Sequence, residues 1–423
     1  MRFRFLHAAD LHLDTPFEGI RRVEPFVADA LRDASLRAFE SLVSLAIARE
    51  VAFVVLAGDI YDGPERGVRA QLTFRRGLDR LSDAGIATLV VHGNHDPVET
   101  GWSAVRSWPA GVTVFGAGEV ATVPVERDGE MIASVHGISY PTRAVTENLA
   151  LRFARGDAPG IQVGLLHANV GANPQHDPYS PCTLDDLRAG GMDYWALGHV
   201  HARQVLSQGD PWAVYPGNLQ GRSPKASERG PKGALVVEVD GTTIAAPEFV
   251  PLDRVRFAYV EADIADLADL PELQELLTEL ALRETRAAEG RSVLLRAALV
   301  GAGPVADDLR RPGAVAELLG ALRDGVRREE PFVWWEHLAD LTRPALDLDA
   351  LRRRGDFPGE LLLLADDLSA DPERLHAFAE QHLAAVATPT LDRLAGPLED
   401  PAEPMPWRQA VDLALTTLVT DDG

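Results

Sequence analysis

The chain has 423 residues, of which 46% are hydrophobic and 25% are charged, so it is long enough for two or three globular domains. Its formal net charge is −23, and residues 251–423 hold 34 of the 64 acidic residues but 18 of the 41 basic ones. This acidity excludes a protein that binds nucleic acid through a broadly basic surface. No apolar run approaches the roughly 18 residues of a membrane span, which argues against a membrane protein.

The N-terminus and the cysteine content bear on the cellular compartment. Met1–His7 runs directly into a strand-like segment and lacks the long apolar stretch and cleavage site of a signal peptide. Cys182 is the only cysteine, so no intrachain disulfide can form. Together these features predict a cytoplasmic protein.

Short apolar strands alternate with helical segments through residues 1–250, which predicts an α/β domain of layered sheets and helices. The predicted elements are Arg2–His7 (strand), Val27–Arg49 (helix), Val51–Ala57 (strand), Val68–Asp83 (helix), and the strands Ala87–His92, Ile132–His136, Ile161–His167, Tyr194–Leu197, Trp212–Tyr215 and Ala234–Val239. The pattern changes near Asp240, Gly241 and Pro251, where we place a domain boundary.

Beyond this boundary, residues 252–345 predict a small α+β domain and residues 346–423 a mostly helical region. The smaller domain reads as Arg254–Glu261 (strand), Pro271–Ala288 (helix), Ser292–Val300 (strand), Ala314–Arg328 (helix) and Phe332–Leu338 (strand). The last region contains the predicted helices Asp347–Arg354, Gly359–Asp367, Pro372–Ala385 and Trp407–Val419, with a stiff linker at Pro401–Pro406 before the last of them.

Five clusters rich in Asp, His and Asn stand where the strands of the first domain end. Open α/β sheets place their functional sites at this edge. The clusters are Asp10-Leu11-His12, Gly58-Asp59-Ile60-Tyr61-Asp62, Gly93-Asn94-His95-Asp96, His167 and Gly198-His199-Val200-His201. Carboxylate, imidazole and amide groups are ligands that Mn²⁺, Fe²⁺ and Zn²⁺ accept, and seven of them are enough for two ions. The clusters therefore predict a metal-assisted hydrolase.

The first two clusters differ in how specific they are. Asp10 and His12 taken alone are more typical of a turn or a helix cap than of a metal site. Asp59 is a stronger candidate, because Gly58 lets the backbone turn and a carboxylate has two oxygens with which to bridge two cations. Asp62 could equally be a turn residue.

The third and fifth clusters are more specific. Asn94 would present its side-chain oxygen to a metal, while His95 could donate a proton or stabilise charge and Asp96 could hold that imidazole in its working tautomer. His199 and His201, in a strand-end loop, could each reach a different metal. The alternatives are an Asn-rich turn for the third cluster and a solvent-exposed histidine pair for the fifth.

The remaining polar candidates carry weaker signals. Arg203 and Arg222 could contact substrate phosphates, although most arginines are solvated surface residues. The histidines outside the clusters are interpreted as structural groups with satisfied hydrogen bonds; these are His7, His92, His136 and His176.

The order of the five clusters resembles that of the calcineurin-like metallophosphoesterase superfamily, over about residues 1–240. Within it, three segments resemble the SbcD/YhaO-like DNA repair exonucleases, which share a fold and site with the eukaryotic double-strand-break repair nuclease. The segments are His7–Phe17, Pro181–Leu187 and Tyr215–Arg222. The resemblance implies an α/β fold, a four-layer β-sandwich of two sheets flanked by helices.

The resemblance also implies roles for individual residues. One metal would be held by Asp10, His12, Asp59 and His201, and the second by Asp59 as a bridge with Asn94, His167 and His199. Manganese is the usual metal, with Fe²⁺, Zn²⁺ and Mg²⁺ as alternatives. His95 would stabilise the transition state or protonate the leaving oxygen, oriented by Asp96. Archaeal and eukaryotic members carry a second active-site histidine where this chain has Asp62, which indicates the bacterial branch.

In this family a small capping domain contacts DNA, and the helices after it dock a coiled-coil, SMC-like ATPase partner. Residues 252–345 and 346–423 fit that plan in order and size. The dimer surface of the family lies on helices of the first domain, so Val27–Arg49 and Val68–Asp83 are candidates for a homodimer contact.

We therefore expect a two-metal DNA nuclease, an exonuclease that could also act as an endonuclease in DNA repair. One alternative keeps the site but changes the substrate, giving a phosphatase or a cyclic-nucleotide phosphodiesterase. Another is a non-catalytic scaffold that retains its metals for structure, and a third is a nuclease inactive without its ATPase partner. The scaffold is disfavoured by His95 and Asp96, because a structural metal site needs ligands but no such pair.

Overall fold

A computed structural model describes residues 1–15, 24–63, 66–99, 103–171, 179–343, 348–371, 373–375, 377–378, 410–411, 414–415 and 418. His176, Phe17 and the Pro401–Pro406 linker lie outside the described residues. So do most of the predicted helices Pro372–Ala385 and Trp407–Val419.

The described part of the chain contains sixteen strands and eight α-helices. The strands are β1 (Arg2–Ala8), β2 (Phe53–Ala57), β3 (Ala87–Val91), β4 (Val112–Val114), β5 (Ala121–Arg127), β6 (Glu130–Gly137), β7 (Ile161–His167), β8 (Tyr194–Gly198), β9 (Gln204–Ser207), β10 (Trp212–Tyr215), β11 (Gly233–Asp240), β12 (Thr243–Ile244), β13 (Glu248–Pro251), β14 (Val255–Asp263), β15 (Ser292–Val300) and β16 (Val333–Asp340). The helices are α1 (Pro25–Ala48), α2 (Val68–Asp83), α3 (Leu184–Ala189), α4 (Leu270–Ala287), α5 (Val305–Leu309), α6 (Ala314–Asp324), α7 (Leu348–Arg352) and α8 (Phe357–Ser369).

The first sheet has the strand order β12-β11-β1-β2-β3-β4, with β13 also paired to β11. Strands β1, β2, β3 and β4 are parallel to one another, and β11 runs antiparallel to β1. Parallel neighbours need a crossover connection, and helices α1 and α2 supply it between β1, β2 and β3. Their apolar faces cover the outer side of this sheet with residues such as Phe39, Leu42 and Phe74.

The second sheet has the order β5-β6-β7-β8-β10-β9 and is parallel from β6 through β10. Its inner face packs against the first sheet, where Phe5 stacks on Phe53 with ring centroids 4.8 Å apart and meets Tyr194 edge-on at 5.1 Å. Its outer face is covered by α3 and neighbouring loops around Trp195. The α/β fold with two sheets between helical layers is therefore confirmed.

Most of the predicted elements lie within a few residues of the observed ones, and the strands that were not predicted share one physical cause. Strand β5 is the clearest case, because it lies at the sheet edge and buries only Val125. Strands β4, β9, β12 and β13 are two to four residues long. Edge and very short strands carry little apolar periodicity, and periodicity is the signal on which a prediction from sequence depends.

Strands β14, β15 and β16 form a third sheet in that order. Contacts divide the chain into two compact units, one of Met1–Tyr259, Ala281–Arg296 and Arg323–Glu336, the other of the remaining residues. The division passes through all three strands of this sheet. The domain boundaries predicted from the sequence at residues 250–252 and 345–346 therefore stay predictions. In the first unit, Val27 and Leu31 at the start of α1 pack with Phe257 and Trp334. None of the described helices is long and apolar enough to cross a membrane.

The aromatic contact between the two large sheets gives a test of the fold. Replacing the fully buried Phe5 with alanine (Phe5→Ala) should lower the free energy of unfolding by about 3–5 kcal/mol, because it removes a ring that fills the space between the sheets. The matched control is Phe357→Ala, since Phe357 is 65% exposed and should change that energy by less than about 0.5 kcal/mol. Urea unfolding followed by circular dichroism measures both, and equal shifts would contradict the packing argument.

Candidate metal centre

The ligand clusters meet because parallel strands end at a common edge. Asp10 follows β1, Asp59 follows β2 and Asn94 follows β3, all neighbours in the first sheet. In the second sheet His167 ends β7 and His199 follows the adjacent β8. The strand register thus brings five of the seven predicted ligands to one edge of the sandwich, and His12 and His201 follow two residues after Asp10 and His199.

The backbone at this edge is unusually constrained. Four ligand residues have positive φ angles: Asp10 (51°), His12 (43°), Asp59 (50°) and His199 (105°). Residues with a Cβ rarely adopt this conformation, which costs roughly 1–2 kcal/mol each. Such conformations cluster at functional sites, where the surrounding structure holds them in place.

Glycines at the strand ends allow side chains and backbone to approach closely. A Cβ at Gly58 would lie 2.4 Å from His167 Nδ1, and one at Gly198 would lie 1.8 Å from the carbonyl oxygen of Ala57. At Gly93 it would lie 2.3 Å from Asp59 Oδ1 and 2.8 Å from His167 Nε2. These three positions are therefore closed to any larger residue unless the ligands move.

The first group of ligands consists of Asp10, His12 and His201. Their ligand atoms lie within 4.8 Å of one another. The Nε2 atoms of His12 and His201 are 3.3 Å apart, and His12 Nε2 is 3.9 Å from Asp59 Oδ2. Two nitrogens each about 2.1 Å from one ion are separated by about 3.0–3.4 Å at octahedral to tetrahedral angles, so this spacing suits a shared cation.

The second group lies on the other side of Asp59. His167 Nε2 is 3.4 Å from Asp59 Oδ2 and 3.0 Å from Asn94 Oδ1, and His199 Nδ1 is 3.2 Å from the same amide oxygen. Asp59 Oδ2 therefore approaches one histidine of each group. The arrangement brings together all the residues predicted as ligands, with Asp59 in the middle.

The contacts of the imidazole Nδ1 atoms are those expected of metal ligands. The Nδ1 atoms of His12, His201 and His167 lie 2.8 Å from Asp62 Oδ1, 2.6 Å from Glu228 Oε1 and 2.9 Å from the Ala57 carbonyl oxygen, respectively. A carbonyl oxygen or a carboxylate only accepts, so each Nδ1 carries a proton, and in the neutral ring Nε2 has the lone pair that a metal needs. Two such lone pairs facing each other at 3.3 Å repel unless a cation lies between them.

Burial and neighbouring charges both shift the pKa values of these groups, acting together at His12 and against each other at Asp59 and His167. Burial, together with the Arg222 charge, lowers the pKa of His12 to about 3, which keeps that ligand neutral. Burial alone would raise the pKa of Asp59, but His167 outweighs it and holds that pKa well below its usual value. Burial is likewise outweighed at His167, where the charge of Asp59 raises the pKa to about 9. In the absence of metal the pair is thus a buried ion pair, and a divalent cation would replace its proton.

His95 lies outside the two groups described above, although its ligand atom lies within 4.8 Å of those of His12 and Asp62. Its Nδ1 donates to the carbonyl oxygen of Asp62 at 3.0 Å, and its backbone N–H donates to Asp59 Oδ1 at 2.9 Å. The Nε2 atom is left with a lone pair and no hydrogen bond from any described residue. The side chain is 26% exposed and lines a cavity, so Nε2 is available to a ligand.

The predicted pairing of His95 with Asp96 is wrong. The Asp96 carboxylate accepts from the backbone N–H groups of Ile60 and Gly93, at 3.0 Å each, and lies 2.9 Å from His92 Nδ1. It ties the β2 and β3 loops together, and among the described residues Asp62, not Asp96, holds the ring of His95 in place. Adjacent residues in a tight turn point in different directions, which the spacing in the sequence does not reveal.

The two predicted phosphate-binding arginines differ in position. Arg222 lines the same cavity as His95 and forms an ion pair with Asp62. Arg203 does not line it, because its guanidinium lies 4.5 Å from the centroid of the Phe249 ring. The geometry therefore favours Arg222 and not Arg203 as a substrate contact.

The histidines interpreted as structural are buried and hydrogen-bonded where the structure describes them. His7 contacts the Tyr194 hydroxyl at 3.0 Å, and His136 lies 2.7 Å from Gln162 Oε1. His92 contacts Asp96 as described above. Burial lowers the pKa of His7 to about 3, so it is a neutral core group.

Glu228 is a functional residue that the sequence did not reveal. One oxygen of its carboxylate contacts His201, and the other accepts from Asn218 Nδ2 at 2.6 Å and from the Arg222 backbone N–H at 3.0 Å. Burial opposes ionisation, but the His201 contact outweighs it and keeps the pKa of Glu228 well below its usual value. It lies outside every motif, 27 residues after its partner. The segment Tyr215–Arg222, which carries part of the family resemblance, ends six residues before Glu228 and does not include it.

Comparisons with known proteins indicate a metallophosphoesterase, which is consistent with the ligand groups described above. Residues 3–203 match the family Calcineurin-like phosphoesterase, and residues 257–343 match the middle domain of metallophosphoesterase YhaO. The Bacillus subtilis protein named "Uncharacterized metallophosphoesterase YhaO" is 35% identical over 347 residues, which cover 82% of this chain and 84% of that protein. The chain belongs to the calcineurin-like metallophosphoesterase family.

Two further relatives of this metallophosphoesterase are named as nuclease or repair proteins. "DNA double-strand break repair protein Mre11" of Aeropyrum pernix is 31% identical over 236 residues, covering 51% of this chain and 53% of that protein. The SbcD component of the nuclease SbcCD of Bacillus subtilis is 27% identical over 252 residues, covering 51% of this chain and 61% of that protein. The predicted likeness to YhaO and SbcD is confirmed, and the family supports a metal-dependent hydrolase of phosphoester bonds.

Gly93 offers a test of the metallophosphoesterase site that changes no ligand. In Gly93→Ala the added methyl group must displace Asp59 or His167, so we expect Mn²⁺ affinity to fall about 10–100-fold. Gly116→Ala is the control, because a Cβ there meets nothing within 4 Å. Calorimetric Mn²⁺ titration measures the affinity of each. Wild-type affinity in Gly93→Ala would contradict the proposed ligand geometry.

Glu228 offers a second test. Glu228→Gln keeps the size of the side chain but removes the charge that orients His201, and we expect Mn²⁺ affinity to fall about tenfold or more. The exposed Glu248, which pairs with Arg49 at the surface, provides the control Glu248→Gln. Both are read out by the same titration. If the two variants bind Mn²⁺ equally well, Glu228 does not orient a ligand.

Proposed function

We propose that this metallophosphoesterase is a two-metal nuclease that hydrolyses phosphodiester bonds in DNA, as an exonuclease that could also act as an endonuclease. The observation that carries the proposal is the position of His95. A structural metal site needs ligands alone, but here an imidazole whose Nε2 has no hydrogen bond from a described residue faces a cavity beside the two groups centred on Asp59.

The ligand residues set where the reaction takes place. Two divalent cations bound there would neutralise charge on the phosphoryl oxygens and lower the pKa of a water molecule to generate a nucleophile. The chain itself keeps His12 neutral and Asp59 ionised, as a metal ligand requires. It also excludes bulk water from the ligands, since Asp10, His12 and His167 are at most 1% exposed.

His95 is the residue we assign to the leaving group. Its Nδ1 proton is held by the Asp62 carbonyl oxygen, so Nε2 must first take up a proton before it can donate one to a departing alkoxide. The 3.5 Å contact between His95 Nδ1 and Asp62 Oδ1 would stabilise the imidazolium form. This chain therefore uses Asp62 in the role that the sequence pattern assigned to Asp96.

The choice of DNA rests on relatives. The relative named Mre11 is a DNA repair protein and the SbcD relative is part of a nuclease, and both align with about half of this chain. Carried to this chain, the comparison supports DNA as the substrate and a role in repair. We propose Mn²⁺ as the metal from the resemblance of the ligand clusters. A coiled-coil ATPase partner, a homodimer and a cytoplasmic location belong to the same proposal.

The proposal is tested with variants at His95 and Asp59. In His95→Gln we expect metal content to be kept while the rate of DNA cleavage falls about 10²–10⁴-fold, because a proton donor is lost and the ligands are not. In Asp59→Asn we expect loss of both metal and activity. Metal content is measured by elemental analysis, and cleavage on labelled single- and double-stranded DNA with Mn²⁺ present.

The control is His337→Gln, since His337 is exposed and lies in the other compact unit. It should retain wild-type metal content and cleavage. Hydrolysis of small phosphodiesters by an enzyme that leaves every DNA substrate intact would favour the phosphatase or cyclic-nucleotide phosphodiesterase alternative. Full DNA cleavage by His95→Gln would remove the observation on which the proposal depends.

A further inference from the structure

A cavity of about 620 Å³ opens beside His95, within the size range of small-ligand sites. Its wall carries four cationic side chains, Arg222, Lys225, Arg229 and Arg296, and two acidic ones, Asp62 and Glu228. The wall is therefore cationic by two charges in a chain whose net charge is −23. A cavity of opposite sign to the whole protein indicates an anionic ligand.

Both acidic residues of the wall are already engaged with the metal centre. Asp62 contacts His12 and accepts from Thr15 Oγ1 at 3.2 Å, in addition to its ion pair with Arg222. Glu228 is occupied by His201, Asn218 and the backbone of Arg222, as described above. Neither carboxylate is thus left to balance the other cations of the cavity.

Lys225 and Arg229 are the two cations without an acidic partner among the described residues. Lys225 is exposed. The Arg229 Nε atom donates to the Pro224 carbonyl oxygen at 2.8 Å, and its guanidinium lies 4.4 Å from the centroid of the Tyr259 ring. These contacts fix the plane of the guanidinium but use one of its five N–H donors, so the terminal nitrogens remain available. Arg296, by contrast, is paired with Glu336 at 3.0 Å.

We propose that this cavity is a subsite for a second phosphate group of the nucleic-acid substrate, adjacent to the phosphate that reacts, and that Lys225 and Arg229 bind it. A planar, fixed guanidinium suits the tetrahedral oxygens of a phosphate, and Lys225 adds a mobile point charge. The hydroxyl group of Ser223 in the same wall adds a further donor. The inference rests on the proposed function. It specifies how the enzyme would bind a nucleic acid, which has many phosphates, more tightly than an ester with a single phosphate.

The test compares substrates that differ in phosphate number. The Mn²⁺-loaded enzyme hydrolyses bis(p-nitrophenyl) phosphate in this assay, and three compounds are compared as inhibitors. They are the dinucleotide TpT, its terminally phosphorylated form pTpT, and the trinucleotide TpTpT. We expect the inhibition constant of pTpT, TpTpT or both to be about tenfold lower than that of TpT. If pTpT binds more tightly than TpT, the subsite accepts a terminal phosphomonoester. If TpTpT binds more tightly than TpT, it accepts a neighbouring phosphodiester.

The double variant Lys225→Gln/Arg229→Gln should abolish this gain. It should also reduce the slope of log affinity against log salt for a single-stranded oligonucleotide by about 0.7, since the contact to one phosphate is lost. The control is Arg106→Gln/Arg127→Gln, which removes the same charge at two arginines that lie outside the cavity and make no ion pair with a described residue. It should keep both the gain and the salt slope.

The subsite and the proposed function fail in different ways. If DNA is cleaved but the double variant keeps the wild-type gain from a second phosphate, the subsite is wrong and the nuclease proposal stands. Equal effects of the double variant and its control also overturn the subsite. If no nucleic acid is cleaved while the inhibition still depends on Lys225 and Arg229, the subsite is supported and the nuclease proposal fails.

Discussion

The site depends on one close approach between the two large sheets, at the end of β2. The carbonyl oxygen of Ala57 accepts from His167 Nδ1 at 2.9 Å, and Gly198 lies so close that a Cβ there would be 1.8 Å from that oxygen. This contact sets the distance between the ligands of the first sheet and those of the second. Because Gly58 and Asp59 follow directly, the position of Asp59 between the two groups of predicted ligands is a consequence of this contact.

Such closeness is costly without a cation. Ionised or lone-pair-bearing groups of five residues lie within a few ångströms of each other; Asp10, His12, Asp59 and His167 are buried, and His201 is partly buried. Burial of unpaired charge is unfavourable, and four ligand residues also have strained backbone angles. The surrounding groups offset this cost by fixing each imidazole through Nδ1, with Asp62 and Glu228 as two of the anchors. The fold thus holds these groups in an arrangement whose electrostatic cost a bound cation would offset.

The sequence predicted the parts of this site that depend on local pattern. Apolar runs locate β1, β2, β3, β7 and β8, and a predicted ligand lies at the end of each strand or within three residues after it. These residues meet because parallel strands share an edge. Residues whose role depends on distant partners were predicted less well. Asp96 adjoins His95 in sequence but turns to His92, while Glu228 reaches His201 from a loop 27 residues away. The contact partners of Asp96 and Glu228 do not follow from spacing in the sequence, because the packing between loops determines them.

The same distinction between local and global properties applies to charge. The net charge of −23 argues against nucleic acid, yet the only two lysines of the chain, Lys225 and Lys232, belong to the loop beside the metal centre. Lys232 is buried and donates to the carbonyl oxygens of His201 and Ser227, at 2.7 and 2.5 Å, and burial lowers its pKa to about 8. It therefore joins the ligand loop to the loop that carries Lys225 and Arg229. A phosphate in the cavity would meet a field set by these few nearby charges, because solvent screens the distant acidic residues beyond about 8–10 Å.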